Sequence, residues 1–160
     1  MTISIVNGNI LDGDWDILVQ SVNHKGVMGA GLAKQIASAW PKIVPSYKTF
    51  CNETIFKEIK SRGLFHCFPV SGEYFPSYII SIFGQNDYGR DSRHTDYISL
   101  GNGLLSVADF AARNRHGKIA IPYGIGCGLG GGDWNIVYPI IQDVFNDYPE
   151  LDVKIYKYEQ

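Results

Sequence analysis

Charged residues are scarce in this sequence, and the runs that mark several classes of protein are missing. Only 19% of the 160 residues are charged, the formal net charge is −2, and no five or six basic residues stand together. This scattered charge argues against wrapping a nucleic-acid backbone. No apolar run approaches the roughly 20 residues of a bilayer span, and the first residues lack a basic-then-apolar leader. We therefore expect a cytoplasmic protein with no membrane contact and no direct nucleic-acid backbone binding.

Cysteine is also rare, and its spacing excludes two kinds of site. Cys51, Cys67 and Cys127 are odd in number, and no C-x-x-C motif is present. Neither a disulfide framework nor a zinc site is therefore predicted, and a reducing compartment fits best. Because no other metal-ligand spacing is found, we expect no metal ion and no bound cofactor.

The chain does contain an alternation of strand and helix patterns. Apolar runs between turn residues predict six strands, over residues 3–6, 17–22, 65–70, 78–83, 118–123 and 152–158. Helical spacing predicts helices over 29–40, 96–115 and 134–148, the last regular only from Pro139, whereas 43–59 is a helix or a loop. The third and fourth strands are expected to form an antiparallel hairpin toward one edge. We predict one domain over residues 1–160, a three-layer α/β/α sandwich with a mixed six-stranded sheet.

The first glycine-rich segment covers residues 23–33, between a predicted strand and a predicted helix. Gly29 and Gly31 flank the expected helix start. Without β-carbons a ligand can approach the backbone there, and the unpaired N–H groups and the helix dipole favour an anion. Tight packing of the helix on the sheet explains the same glycines, so both interpretations stay open.

The second glycine-rich segment covers residues 122–134 and has six glycines among the nine residues 124–132. Alternating glycines permit a concave run of backbone N–H groups that can hold a phosphate. Asp133 is placed to cap the helix that follows. A flexible connector is the alternative, but two such segments at helix starts together predict a site for a diphosphate.

A dinucleotide-binding Rossmann fold is the competing interpretation of the second segment. Gly126, Gly128 and Gly131 satisfy G-x-G-x-x-G. That fingerprint should open the first strand–helix–strand unit, with an acidic residue about 20 positions later at the end of the next strand. Here the motif lies near the C-terminus, and Glu150 and Asp152 precede or open the last predicted strand. The sequence also has no G-x-x-x-x-G-K-[ST], which disfavours a P-loop nucleotidase.

Four segments, in order along the chain, resemble the macro domain, a family of ADP-ribose-binding modules. Residues 8–10 resemble its early G-D-I, 20–23 lie where N-A-A-N is usual, 29–33 resemble G-G-G-V-A, and 125–130 resemble the second phosphate loop. The Gly-Cys-Gly-Leu of 126–129, with Trp134 five residues later, is similar to the branch containing ADP-ribosyl-glutamate hydrolases and a DNA-ADP-ribose antitoxin. The resemblance runs from Gly8 to Tyr158 and implies a macro-domain fold that binds ADP-ribose.

The resemblance also implies roles for individual residues. Asn9 would meet the adenine amino group through an amide carbonyl where a carboxylate is usual, and Asn23 would bond the distal ribose. Ile10 and Met28 would pack on adenine and ribose, although ordinary core packing is the alternative for both. The residues implied to hold the diphosphate are Gly29, Ala30, Gly31, Gly126, Cys127, Gly128, Leu129 and Gly130.

Catalytic residues carry over less completely from the family. One hydrolase branch uses a lysine near the end of the strand matching 78–83 and an aspartate after Gly-Cys-Gly-Leu, where this chain has Gln85 and Gly130. The other branch uses an aspartate just after its glycine run, at the position of Ala33. The phosphatase branch, which acts on ADP-ribose 1″-phosphate, also lacks the lysine, so that activity stays open.

Substitute polar groups lie near both glycine segments. His24 stands beside Asn23, Asp133 follows the second segment, and residues 85–91 are polar. We take His24, Asn23 and Asp133 as candidate catalytic residues, because a histidine titrates near neutral pH and can transfer protons. A surface histidine and a helix cap are the alternatives for His24 and Asp133. Cys127 is not predicted as a nucleophile, since no histidine partner is identified.

Three hypotheses follow from the sequence. The first is a domain that binds ADP-ribose or its derivatives, with hydrolysis of ADP-ribose 1″-phosphate or of ADP-ribosyl adducts left open. The second is a non-catalytic reader of ADP-ribosylated protein or nucleic acid. The third is an NAD(P)-dependent oxidoreductase.

Overall fold

A computed structural model describes residues 2–23, 25–26, 28–52, 63–71, 76–85, 93, 95–128 and 130–158. The strands are β1 (Thr2–Asn7), β2 (Ile17–Asn23), β3 (Phe65–Ser71), β4 (Ser77–Gln85), β5 (Lys118–Pro122) and β6 (Asp152–Lys157). The helices among these residues are α1 (Gly31–Ala39), α2 (Ile43–Cys51), α3 (Tyr97–Arg113) and α4 (Trp134–Asn146), with a 3₁₀ turn over Ile10–Asp12. No helix in this part of the chain is long and apolar enough to cross a bilayer.

The six strands form one mixed sheet in the order β1-β6-β5-β2-β4-β3. Five strands are parallel, and β3 pairs antiparallel with β4 at the edge. The predicted hairpin is therefore confirmed. Its edge position suits Pro69 of β3, because a proline has no N–H to donate to a second neighbouring strand.

Helices cover both faces of the sheet, as predicted. Ile17 and Val19 of β2 point into a core shared with α3 and α4. Leu18 and Val22 of the same strand point into a second core shared with α1 and α2. A strand buried on both faces is apolar at successive positions, which is the pattern of a central parallel strand. The three-layer α/β/α sandwich is confirmed.

The last helix differs from the expectation that regular structure starts at Pro139. Helix α4 begins at Trp134, directly after its cap Asp133, and Pro139 lies inside it. Proline removes the hydrogen bond to the carbonyl four residues earlier, that of Asn135. Both residues are exposed, so water can bond that carbonyl and the helix tolerates the proline.

The carboxyl ends of the parallel strands meet at one edge of the sheet, where ligands gather in open α/β folds. Asn23 at the end of β2 is paired with Gln85 at the end of β4, after a register shift between Ser21 and Asn23. The second glycine-rich segment follows β5, the other neighbour of β2. The two glycine-rich segments therefore leave the sheet side by side.

Candidate functional site

A cleft of about 500 Å³ lies over the carboxyl ends of β2, β4 and β5. Its volume is within the usual range of small-molecule sites, roughly 300–1,000 Å³. Both glycine-rich segments and the end of β2 contribute to it. Its lining residues include Gln20, Ser21, Asn23, Gly29, Ala30, Gly31, Leu32, Ala33, Gln85, Tyr123, Gly124, Gly126, Gly128 and Gly130.

Helix α1 opens onto this cleft without a side-chain cap. Its N-cap residue is Ala30, and its first backbone bond runs from the Lys34 N–H to the Ala30 carbonyl at 3.3 Å. The preceding N–H groups of the helix, on residues 31–33, have no acceptor among the described residues. By contrast, the carboxylates of Asp96 and Asp133 cap α3 and α4. The first turn of α1 therefore offers unpaired N–H groups and a positive dipole end to an anion.

In the second glycine-rich segment, called the second glycine loop from here on, main-chain N–H groups that donate a hydrogen bond alternate with N–H groups that do not. The N–H groups of Ile125, Cys127 and Gly131 donate within the turn, to the carbonyls of residues 122, 124 and 128 at 2.7–3.1 Å. Gly126, Gly128 and Gly130 line the cleft, and their N–H groups have no acceptor in the described part of the chain. Unpaired main-chain N–H groups in a turn are donors of the kind that hold phosphate oxygens.

Two glycines of this loop are required for different reasons. A β-carbon on Gly130 would come within 2.9 Å of Gln85 Nε2 and would also strike the Thr95 hydroxyl. A β-carbon on Gly128 would meet nothing within 4 Å, and its φ is not in the left-handed region. Neither packing nor backbone conformation therefore calls for glycine at 128. Close approach of a ligand is the remaining physical reason.

Thr95 holds this loop from below. Its hydroxyl donates to the Gly126 carbonyl at 2.7 Å, and its N–H donates to the Gly130 carbonyl at 3.0 Å. The Gly126 carbonyl also accepts the Gly132 N–H at 2.8 Å. Thr95 is buried, 2% exposed, so these bonds are shielded from water and fix the curvature of the loop.

Asn23 is fixed at the end of β2 by two neighbours. Its side-chain oxygen accepts the Lys25 N–H at 2.9 Å and the Tyr47 hydroxyl at 3.3 Å. The hydroxyl has one proton, which it shares between this side-chain oxygen and the main-chain carbonyl of Asn23. Burial raises the pKa of Tyr47 far above its usual range, with the Cys51 side chain a secondary cause. The hydroxyl therefore keeps its proton and acts as a donor.

The two positions where the resemblance implies a missing lysine and aspartate are adjacent in space. Gln85 is the strand partner of Asn23, and its amide nitrogen occupies the space next to Gly130. A side chain at 130 has no room while Gln85 and Thr95 keep their present places. The two departures from the hydrolase branch are thus geometrically linked.

Asn23, implied to bond the distal ribose, lines the main cleft, whereas the other residues implied to contact adenine or ribose, Asn9, Ile10 and Met28, lie outside its lining. Asn9 lines a separate shallow depression with Lys34 and Tyr158, and its side-chain oxygen caps the 3₁₀ turn by accepting the Leu11 N–H at 3.0 Å. Ile10 and Met28 are buried in the core shared with α1 and α2. The core-packing alternative therefore describes where these two side chains lie, and their ligand contacts stay predictions.

Asp133 and Cys127 also lie outside the cleft lining. The Asp133 carboxylate accepts the Asn135 N–H at 2.9 Å, which is the helix-cap alternative from the sequence. The Cys127 thiol donates to the Ile125 carbonyl at 3.4 Å. Burial, and secondarily the charge of Asp133, raises the pKa of that thiol, so it is a poor nucleophile. His24, Leu129 and residues 86–91 lie outside the described residues.

Sequence reasoning missed Tyr47, Thr95 and Gln20. Gln20 lines the cleft, is 2% exposed and donates to the Ser81 hydroxyl at 2.9 Å, bridging β2 and β4. A polar residue inside an apolar central strand was a usable signal for Gln20. Tyr47 and Thr95 gave no comparable signal, because their partners are distant in sequence.

No protein-family model matches this chain. The "DNA ADP-ribosyl glycohydrolase" of Mycobacterium tuberculosis is 29% identical over 154 residues, which are 94% of this chain and 40% of that protein. The protein of the same name from Thermus aquaticus is 29% identical over 158 residues, 95% of this chain and 40% of that protein. The chain therefore spans about two fifths of the length of these curated relatives.

Solved structures match nearly the whole chain. The macrodomain of Thermus aquaticus DarG superposes with a TM-score of 0.81, at 25% identity, over 98% of both chains. A structure described as "Thermosipho africanus DarTG in complex with ADP-ribose" has a TM-score of 0.80 at 21% identity, over 99% of this chain and 42% of that one. With its mixed sheet between two helical layers, this chain has the fold of a macro domain.

Proposed function

We propose that the cleft binds an ADP-ribosyl group and holds its diphosphate between the first turn of α1 and the second glycine loop. The observation that carries this proposal is the alternation, in that loop, of main-chain N–H groups with and without a hydrogen-bond acceptor. Gly126, Gly128 and Gly130 line the cleft, and their N–H groups have no acceptor among the described residues. Unpaired N–H groups from two segments, with a helix dipole behind one of them, suit two linked phosphates.

The strand order supports an orientation for the ligand. Asn23 and Gln85 lie at the ends of β2 and β4, whereas Asn9 follows β1, beyond β5 and β6 on the other side of the cleft. The predicted contact of Asn23 with the distal ribose and of Asn9 with adenine therefore places these groups on opposite sides of the phosphates. This is the order in which they occur in ADP-ribose.

The relatives favour an ADP-ribosylated nucleic acid as the macromolecular partner. Two are named DNA ADP-ribosyl glycohydrolases, so the expectation that the chain avoids nucleic acid has no support from them. Residues 17–52, which include α1 and α2, have four lysines and no aspartate or glutamate, although the whole chain has a net charge of −2. A stretch of sequence with lysines and no acidic residue suits a phosphate backbone leading to the cleft.

Calorimetry with ADP-ribose, ADP, AMP and NADH tests the proposal. We expect ADP-ribose and ADP to bind, AMP to bind much more weakly because it lacks the second phosphate, and NADH to show no binding. No heat of binding with ADP-ribose at millimolar concentration would overturn the proposal. Preferential binding of NADH would restore the oxidoreductase hypothesis.

The described cleft lining supplies hydrogen-bond donors and a shape that suit binding. Neither feature bears on catalysis, so turnover needs a separate test. We propose assays with ADP-ribose 1″-phosphate, mono-ADP-ribosylated protein and an ADP-ribosylated DNA oligonucleotide. Release of phosphate or ADP-ribose makes the domain an enzyme, and His24→Ala is then expected to abolish turnover while leaving affinity within a few fold. Binding without release supports the reader hypothesis. Phosphatase activity and a cytoplasmic location stay predictions from the sequence.

A further inference from the structure

We infer that Tyr47 is a positioning residue that sets the orientation of the Asn23 side chain, and through it the preference of the cleft for ligands with a distal ribose. The inference rests on the proposed binding of an ADP-ribosyl group and adds a specificity residue to it. Tyr47 itself lies in α2, outside the cleft lining, and is fully buried.

Packing accounts for the ring of Tyr47, whereas hydrogen bonding accounts for its hydroxyl. The ring stacks on Phe83 of β4, with centroids 6.2 Å apart and planes at 16°. A phenylalanine would fill this space equally well, so packing accounts for the ring alone. A buried hydroxyl costs free energy unless it is hydrogen-bonded, and this one reaches two oxygens of Asn23, with the Cys51 side chain as a further partner.

The two donors to Asn23 define which way its amide faces. The main-chain N–H of Lys25 can only donate, so the atom 2.9 Å from it must be the amide oxygen of Asn23. The Tyr47 hydroxyl reaches the same oxygen. Any hydrogen bond from this side chain to a ligand is therefore donated by Nδ2.

A fixed Nδ2 donor favours a ligand with an acceptor at the Asn23 end of the cleft. Asn23 and its strand partner Gln85 lie at that end, and a ribose hydroxyl oxygen can accept from an amide. ADP has no group there, because it ends at its second phosphate. Loss of the Tyr47 hydroxyl should therefore weaken ADP-ribose binding and leave ADP binding unchanged.

The experiment compares ADP-ribose and ADP by calorimetry on the wild type, Tyr47→Phe, Asn23→Ala and the double variant. In Tyr47→Phe we expect ADP-ribose affinity to fall roughly fivefold to twentyfold, as for one directed hydrogen bond, with ADP affinity unchanged. Asn23→Ala should show the same selective loss. The double variant should match Asn23→Ala, because Tyr47 acts through Asn23.

Tyr78→Phe is the matched control, since Tyr78 is near the start of β4, at the opposite end of the sheet, packed on Phe110 and His116. It should change neither affinity. A Tyr47→Phe variant that keeps the wild-type ratio of ADP-ribose to ADP affinity overturns the inference while leaving the proposed function intact. A wild type that binds neither ligand overturns both.

A second measurement needs no variant. A buried hydroxyl bonded to Asn23 should give a slowly exchanging proton resonance in the wild type, with cross-peaks to the Tyr47 ring and to Asn23. A hydroxyl proton in fast exchange with water would overturn the inference even if Tyr47→Phe does not fold.

Discussion

The hydroxyl of Thr95 donates a hydrogen bond to the carbonyl oxygen of Gly126 at 2.7 Å, and so ties the segment before α3 to the second glycine loop. This bond lies directly beneath the N–H groups proposed to hold phosphate. Thr95 itself is not among the residues that line the cleft, so a change at this position tests the shape of the loop without removing a residue of the lining.

Replacing Thr95 tests whether that bond shapes the site. Thr95→Val keeps the side-chain volume but removes the donor, and it should lower the free energy of unfolding by about 1–2 kcal/mol. ADP-ribose affinity should fall roughly tenfold, measured by calorimetry beside thermal unfolding. Thr95→Ser restores the hydroxyl and should recover most of the affinity. Equal affinity in the valine variant would show that the loop keeps its curvature without Thr95.

Gly128→Glu tests the phosphate assignment directly. A β-carbon there meets no described protein atom within 4 Å, so the melting temperature should stay within a few degrees. Its volume and charge enter the proposed phosphate site, and ADP-ribose affinity should fall by at least about a hundredfold.

Gly117→Glu is the charge-matched control for that variant. Gly117 precedes β5 at the far end of the sheet, and its β-carbon would only touch the Glu150 carbonyl at 3.9 Å. This variant should bind normally. Normal binding by Gly128→Glu would mean that phosphate lies elsewhere.

Replacing Ala30 with a capping residue should raise stability and weaken binding. Its extended backbone at the start of α1 suits a capping side chain, although alanine provides none. Ala30→Asp and Ala30→Asn should each stabilise the fold by about 1 kcal/mol, roughly 2–4 °C in melting temperature for this size. Both should weaken ADP-ribose binding, because the new side chain takes the same N–H groups.

Comparing the two Ala30 variants separates the effect of blocking the N–H groups, which both side chains have, from the effect of negative charge, which only the aspartate has. The aspartate should bind ADP-ribose more weakly than the asparagine, and the gap should narrow as salt is raised. A variant that gains stability and keeps its affinity would remove the first turn of α1 from the proposed site.

His66 should make stability depend on pH. The ring is buried beside Tyr47 and Phe50, with Nε2 2.8 Å from the Ser46 hydroxyl, and burial lowers its pKa below the usual 6.5. Below pH about 6.5 the unfolded chain binds a proton that folded His66 resists. Stability should therefore fall as pH drops through that value.

Thermal unfolding between pH 8 and pH 5 checks this expectation. His66→Gln removes the titrating group, so its melting temperature should depend less on pH than that of the wild type. The variant will be less stable at pH 8, because the aromatic contacts are lost. Parallel pH profiles for the two proteins would assign the acid sensitivity to other residues.

Much of the architecture was predictable because each element carries its own pattern. The central strands are apolar at successive positions, and α3 repeats apolar residues at helical spacing, so period alone identified them. Pro139 misled the prediction for α4, because whether a proline is tolerated depends on the exposure of the carbonyl that it leaves unpaired. That exposure is a property of the folded surface.

The lining of the cleft was predictable where main-chain segments form it and not where side chains meet across the fold. Glycine spacing marked both loops that line the cleft. The hydroxyls of Tyr47 and Thr95 reach their partners across 24 and 31 residues of sequence, and no local pattern encodes such contacts.

Recognition through main-chain N–H groups places few demands on side-chain identity. At the alternating positions of the second loop the chain must supply curvature and space, and many sequences elsewhere can support the same curve. This weak dependence on side-chain identity agrees with the comparison to the Thermus aquaticus macrodomain, where the fold is shared with a TM-score of 0.81 at only 25% identity. Substitutions elsewhere in the fold should therefore change the affinity of such a pocket little, provided that the residues supporting the loop keep its curvature.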